Sequence, residues 1–460
     1  MLAAGLVLAA VLVGLALRWR ERPASAVATA AAPMLPSQPM ASAASAASPS
    51  TSAASLPALG GAASAPLTAS EARRARMRAD WCGYGADEHL RESDELMARI
   101  EAAQGTIGPD ALAALNATDG ARVLEQAAAE VQARWVAALR RQGDPRSRAL
   151  AEYLLAGRDG PAQAPAARSA TEAAEAPAAA RARLQALARS STDPMITALA
   201  LQRPCAVGAC ENVEPAQWSR LEPQNLQAWL TLLGTRAKAR EDEQAYVMER
   251  MATQGAYSNS YERDAQRLLM ALPQAASPGL QGEAELHFLT SLAASWPLAR
   301  LSPVSLACRR QPPAADTLAR CEAIAQRLWQ RDDLIGRLQA LQMSRALLEA
   351  RPAERAVWEP RAREAEAVQA WMQLDQERLM QPPEGQAVIA ACTVQARWRE
   401  VLQERVKLGE WAAARQRMQA AGADEAALAA AWQQQAGRKL LDPVSAPSAT
   451  PAPSAAAAGR

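Results

Sequence analysis

Residues 221–252 read LEPQNLQAWLTLLGTRAKAREDEQAYVMERMA, and the fold turns on how that stretch is read. Pro223 and Asn225 interrupt the chain. From Leu226 onward the apolar residues fall on one face of a 3.6-residue helix: Leu226, Trp229, Leu230, Leu233 and Ala237. A second helical segment follows, carrying Ala245 and Ala252. Alanines placed this way suit close crossing, because the distance between two packed helices is set by the side chains at the contact. The same spacing returns later. Trp229, Leu232, Ala245 and Ala252 are separated as Trp398, Val401, Ala414 and Ala421 are, and in the second copy Gly409-Glu410-Trp411 falls where the turn belongs.

The pattern extends outward from these two units. Leu124, Ala128, Val131, Trp135 and Leu139 form one helical stripe. Leu318, Cys321, Ala325 and Trp329 form another, and Val394, Trp398, Val401 and Leu402 a third. Asp144-Pro145 and Asp193-Pro194 each set a capping side chain before a proline at the first helical position. Asn259 with Glu262 has the spacing of a capping box. No stretch alternates with period two. The expectation is an all-α protein of short helices, roughly 12 to 20 residues each, with Gly, Pro or Asp at the joints.

The paired spacing resembles the tetratricopeptide repeat, a helix-turn-helix unit of about 34 residues. The lead-in Leu221-Glu222-Pro223-Gln224-Asn225 is similar to that family's linker between repeats. Gly409-Glu410-Trp411 with Ala414 is similar to the start of its second helix. Arg236 and Glu249 depart from the pattern, where an aromatic and an apolar residue are usual. The chain also resembles uncharacterised envelope proteins of proteobacteria with degenerate helical repeats. The resemblance implies stacked antiparallel helix pairs, a solenoid whose concave face binds other proteins.

Around this body the composition changes. Leu2 to Leu17 is an uninterrupted apolar run of sixteen residues, about 24 Å as a helix, followed by Trp19 amid Arg18, Arg20 and Arg22. It is read as an uncleaved transmembrane anchor (1–22), because arginines separate the run from the small-residue sites a signal peptidase would need. Residues 23–70 are mostly Ala, Ser and Pro and carry no charge, too poor in bulk to offset the entropy of ordering, and are read as a disordered tether. A small helical domain is expected at 71–157, an Ala/Pro-rich linker at 158–180, a helical-repeat domain at 181–442 and a disordered tail at 443–460. Orientation is contested. Positive charge follows the anchor, which by the positive-inside rule puts the body in the cytoplasm, whereas an even cysteine count and a long tether suit the periplasm. The periplasmic side of the inner membrane is the expectation, and the cytoplasmic side stays open.

Six cysteines allow fifteen pairings. Proximity favours Cys205 with Cys210 and Cys308 with Cys321, leaving Cys82 with Cys392 to tie early helices to late ones. Burial as small apolar residues is the other account. No Cys-x2-Cys pair occurs, so no zinc or other cofactor is expected.

Little else in the sequence carries chemistry. Of 50 basic residues only Lys238, Lys407 and Lys439 are lysine, and 48 acidic residues leave a net charge of +2, too weak a field to attract nucleic acid. His89 sits among Asp87, Glu88, Glu92, Asp94 and Glu95, which reads as the solvated, acid-rich opening of a helix. His287 reads as a residue at the edge of a helical core. Glu92-Ser93 resembles the Glu-Ser pair of lytic transglycosylases, without the Gly-Leu-Met-Gln segment that follows in that family. No nucleophile elbow, phosphate loop or dinucleotide fingerprint occurs. The expectation is a non-catalytic membrane-anchored scaffold or adaptor that binds an unnamed protein and no small-molecule ligand. The alternatives are an enzyme or enzyme subunit of cell-wall metabolism and a cytoplasm-facing adaptor.

Overall fold

A computed structural model describes residues 67–102, 118–157, 177–235, 241–297, 301–309, 315–380 and 390–442. The expected anchor, the tail, and most of the tether and linker lie outside these residues. Among the described residues the secondary structure is helical without strands, apart from a parallel bridge between Asn225 and Tyr257. No described helix is long and apolar enough to cross a membrane.

Thr68 and Glu71 form a capping box that starts α1 (Ala69–Ala79). A π-turn at Trp81–Gly85 leads into α2 (Ala86–Ala102), and α3 (Asp119–Gln142) follows. Next come α4 (Pro145–Ala156), α5 (Pro177–Ser190) and α6 (Pro194–Leu201). Both expected Asp-Pro caps form: Asp144 accepts from the Ser147 amide and Asp193 from the Met195 amide. The middle of the chain holds α7 (Pro215–Leu221), α8 (Leu226–Thr235), α9 (Glu241–Gln254), α10 (Glu262–Met270), α11 (Leu280–Ser295) and α12 (Ser302–Arg309). The last part holds α13 (Ala315–Trp329), α14 (Leu334–Ala350), α15 (Arg355–Met380), α16 (Ala390–Leu408), α17 (Glu410–Ala420) and α18 (Glu425–Ala436).

Two local expectations are corrected. Helices α3 and α15 run to 24 and 26 residues, longer than the segments read from the sequence. Beyond Gly120 near its start, α3 contains no glycine or proline to break it. The Asn259/Glu262 capping box does not form. Tyr261, at φ 64°, is the cap of α10 and makes no side-chain cap bond. Asn259 is used in the turn instead, accepting from the Tyr261 amide and donating to Asp264.

The apolar faces gather into two cores. The first unites α1, α3 to α6, α10 and α11, and its centre is Trp135 with Phe288 edge-on at 5.5 Å. It draws from both sides of the expected linker, with α4 packed on α5. The second unites α8, α9, α12 to α15, α17 and α18 around Trp329, Trp358, Trp371 and Trp411. Helix α16 joins them: Leu402 and Val406 enter the first core while its end turns directly into α17.

Neighbouring helices pair throughout, as α13 with α14 and α16 with α17. The chain also folds back on itself. Helix α3 packs on α11, and Cys82 bridges to Cys392 across 310 residues. A strict repeat stack touches only its neighbours; these long-range closures make the body more compact than such a stack.

Candidate functional site

The joint between α7, α8 and α10 is the most densely bonded part of the repeat-like region. Pro223 ends α7, and the Glu222 carboxylate turns back over the gap. One of its oxygens accepts from the Tyr257 hydroxyl at 2.6 Å and the Tyr261 hydroxyl at 2.7 Å. The other accepts from the Trp218 indole and the Asn225 amide, both at 2.8 Å. Burial first, and Glu222 second, push both tyrosine hydroxyls well above the ordinary range, so they stay protonated donors. Asn225 is fully buried; it bonds the Asn259 backbone in both directions and the Gln227 amide. The Leu226 amide donates to the Tyr257 carbonyl, so two linkers 30-odd residues apart are stitched side by side. Every Glu222 oxygen is occupied by protein donors, which suits a structural hub and leaves no free lone pair for chemistry.

The second unit has a different joint. Gly409 has φ 94°, and a side chain there would run into Arg263 and Asp332. Trp411 donates its amide to the Asp332 carbonyl at 2.7 Å, and Glu410 accepts from the Leu334 amide at 2.9 Å while pairing with Arg405. Glu410 thereby supplies the missing acceptor at the start of α14. Beside it, Glu262 is raised to about 7, by burial first and by the Glu410 carboxylate second.

The expected repeat-core residues divide by environment. Trp229, Leu232, Val401 and Ala414 are buried, and Trp229 donates to the Pro223 carbonyl. Ala252 and Trp398 are half-buried, Trp398 against the first core and Trp229 within the second. Ala245 and Ala421 are exposed, lying on faces of α9 and at the end of α17 that no neighbour covers.

All six cysteines stand in pairs, two of them the pairs that proximity suggested and the third the remainder. Cα–Cα distances are 5.7 Å for Cys205 with Cys210, 5.9 Å for Cys308 with Cys321 and 5.6 Å for Cys82 with Cys392. The last closes the longest loop and so restricts the unfolded chain most.

Glu92 does not stand free as a lone acid. One of its oxygens accepts from Arg73 at 3.2 Å and the other from the Gly120 amide at 3.1 Å, at the start of α3. Part of the acid run of α2 is neutralised in place: Arg73 also faces Glu88, as well as Asp119 of α3, and Arg91 pairs with Glu88 and Glu95. His89 is not simply solvated. It lies against Gly120 and Trp81, with Nδ1 buried and unbonded, and burial lowers its pKa. His287 still meets solvent although packed helices crowd it. Loss of surrounding water lowers its pKa first, and His89 adds to the shift. The two histidines of the chain are thus brought near each other, which their positions 198 apart in sequence gave no sign of. Among the described residues no group of three or more His, Cys, Asp or Glu side chains is arranged to hold a metal ion.

A cavity of about 90 Å³ lies between α10, α11 and α16, walled by Met270, Leu286, Leu289 and Leu402. At its polar end Glu285, 1 % exposed, accepts from Arg134 at 2.5 Å, Arg399 at 3.1 Å and the Ala275 amide at 2.9 Å. Such a buried carboxylate survives only because it is fully paired. This cluster is not legible in the sequence, since its members come from positions 134, 275, 285 and 399. The space is well below the few hundred Å³ usual for a ligand pocket.

No protein-family model, curated protein or solved structure matches this chain.

Proposed function

We propose that this protein is a non-catalytic, membrane-anchored helical scaffold that binds another protein in the cell envelope. Its stacked helix pairs form the binding body, the 2–17 run is the anchor, and the uncharged segment that follows gives reach. The observation that carries the reading is the way the described carboxylates are spent. Glu222, Glu92, Glu285 and Glu410 each hold helices together through protein donors, and none is left poised over an open cleft. Three cysteine pairs support the periplasmic side, where thiols are oxidised. Large exposed apolar side chains are more numerous on the later helices, with Tyr246, Leu306, Ile335, Val357, Leu374 and Leu408 beyond α8 against Leu67 and Val207 before it. They make that half the binding side.

The test is a photocrosslinking residue placed in the full-length protein in its native cells, at Leu306 and, for comparison, at Leu67. A discrete adduct from Leu306 and none from Leu67 is the expected result. Equal smears from both, together with six free thiols on the denatured, unreduced protein, would overturn both the binding side and the compartment.

A further inference from the structure

Most arginines at helix contacts in this protein meet a carboxylate. Arg331 pairs with Asp333, Arg263 with Asp332, Arg351 with Glu322, and Arg417 with Asp375 and Glu404. Arg337 on α14 and Arg361 on α15 do not. Among the described residues neither has a carboxylate within ion-pair distance. The Nε of Arg337 donates to the Arg331 carbonyl at 2.8 Å, and Nη1 of Arg361 donates to Gln326 at 2.6 Å. Neither bond neutralises charge, and both side chains are only half-buried.

These two cations also share a platform. Their guanidinium carbons lie 4.8 Å and 5.8 Å from the centroid of the same indole, Trp329. Arg337 also meets Trp411 at 4.2 Å, and Arg361 covers Trp358 at 4.6 Å. Indole faces orient a guanidinium and strip water from it without supplying a counter-charge. The Trp358 ring is itself fully buried, with an indole N–H that bonds nothing. The nearest acid, Glu364, one turn beyond Arg361, is taken by Arg415. Asp332 and Asp333 are taken by Arg263 and Arg331. Arg337, Arg361 and Arg415, from three helices, therefore share the field of Glu364, with Asp332 and Asp333 also acting on Arg337 and Glu425 pairing with Arg415 at 3.9 Å. Burial lowers the pKa of both Arg337 and Arg361, and Glu364 acts in the opposite direction on each.

We propose that Arg337 and Arg361, held on Trp329, form a binding site for an oxyanion, the carboxylate or phosphate group of a ligand. A planar guanidinium offers paired N–H donors that match the two oxygens of such a group. The site sits where α14, α15 and α17 meet, and it does not depend on the scaffold reading.

Isothermal titration of the full-length protein at low salt, with inorganic pyrophosphate and with citrate as probes, tests this. Saturable one-site binding of at least one probe is expected, and which probe binds tells phosphate from carboxylate. Arg337→Gln and Arg361→Gln should each weaken binding about tenfold, as the loss of one charge-assisted contact does. Arg78→Gln, which breaks a surface pair with Glu130 elsewhere, should leave it unchanged. Should Arg337→Gln unfold, Arg361→Gln decides, since its guanidinium bonds only Gln326. No saturable heat with either probe, or affinity unaltered in folded Arg361→Gln, would overturn the site.

Discussion

The units at 229–252 and 398–421 share their residue spacing and differ in what that spacing meets. Trp229 is sealed in the second core with its indole N–H on the Pro223 carbonyl, whereas Trp398 is half-buried against the first. The joint before the first unit is a polar hub on Glu222; that of the second is a left-handed glycine with a glutamate capping the neighbouring helix. Equal spacing thus leaves the helices free to differ in length, and burial, and with it energy, is decided by which core each helix reaches.

The sharpest way to break this contrast is to truncate the two tryptophans. Trp229→Ala should cost about 3–5 kcal/mol and Trp398→Ala about 1–2 kcal/mol, from the difference in buried side chain. Urea unfolding measures both, and equal costs would mean the units are equivalent after all. The joints come next. Glu222→Ala leaves the Trp218 indole and Asn225 amide short of an acceptor and should cost about 2–3 kcal/mol. Gly409→Ala forces a side chain into left-handed backbone against Arg263 and should cost about 1–2 kcal/mol. The reverse ranking in thermal melts would move the stronger joint to the second unit.

The last test concerns Glu262, on α10 beside Glu410 of the second unit. Its folded pKa of about 7 lies above the unfolded value, so the folded state holds a proton that the unfolded state has released. Its contribution falls as pH rises from the unfolded pKa to about 7 and stays at its lower level beyond. Glu262→Gln should therefore stabilise the protein at pH 8, by about 1–2 kcal/mol after allowance for its remaining solvent contact, and do nothing at pH 4. Stability curves of wild type and variant that run parallel across this range would mean that burial does not raise Glu262.

Periodicity by itself made the chain all-helical, because an apolar residue every third or fourth position can be buried only by a helix. The Asp-Pro caps were legible for the same local reason, and short spacing pointed to the partners of Cys205 and Cys308. The cap of α10 was not, since Asn259 answers to Asn225, 34 residues away. Nor were the buried Glu285 cluster, the approach of His89 to His287, or Arg337 and Arg361 on one indole. Helix formation depends on neighbours along the chain, whereas these groups meet only after α3 packs on α11 and α14 on α15. Which charge finds a counter-charge is a property of that packing.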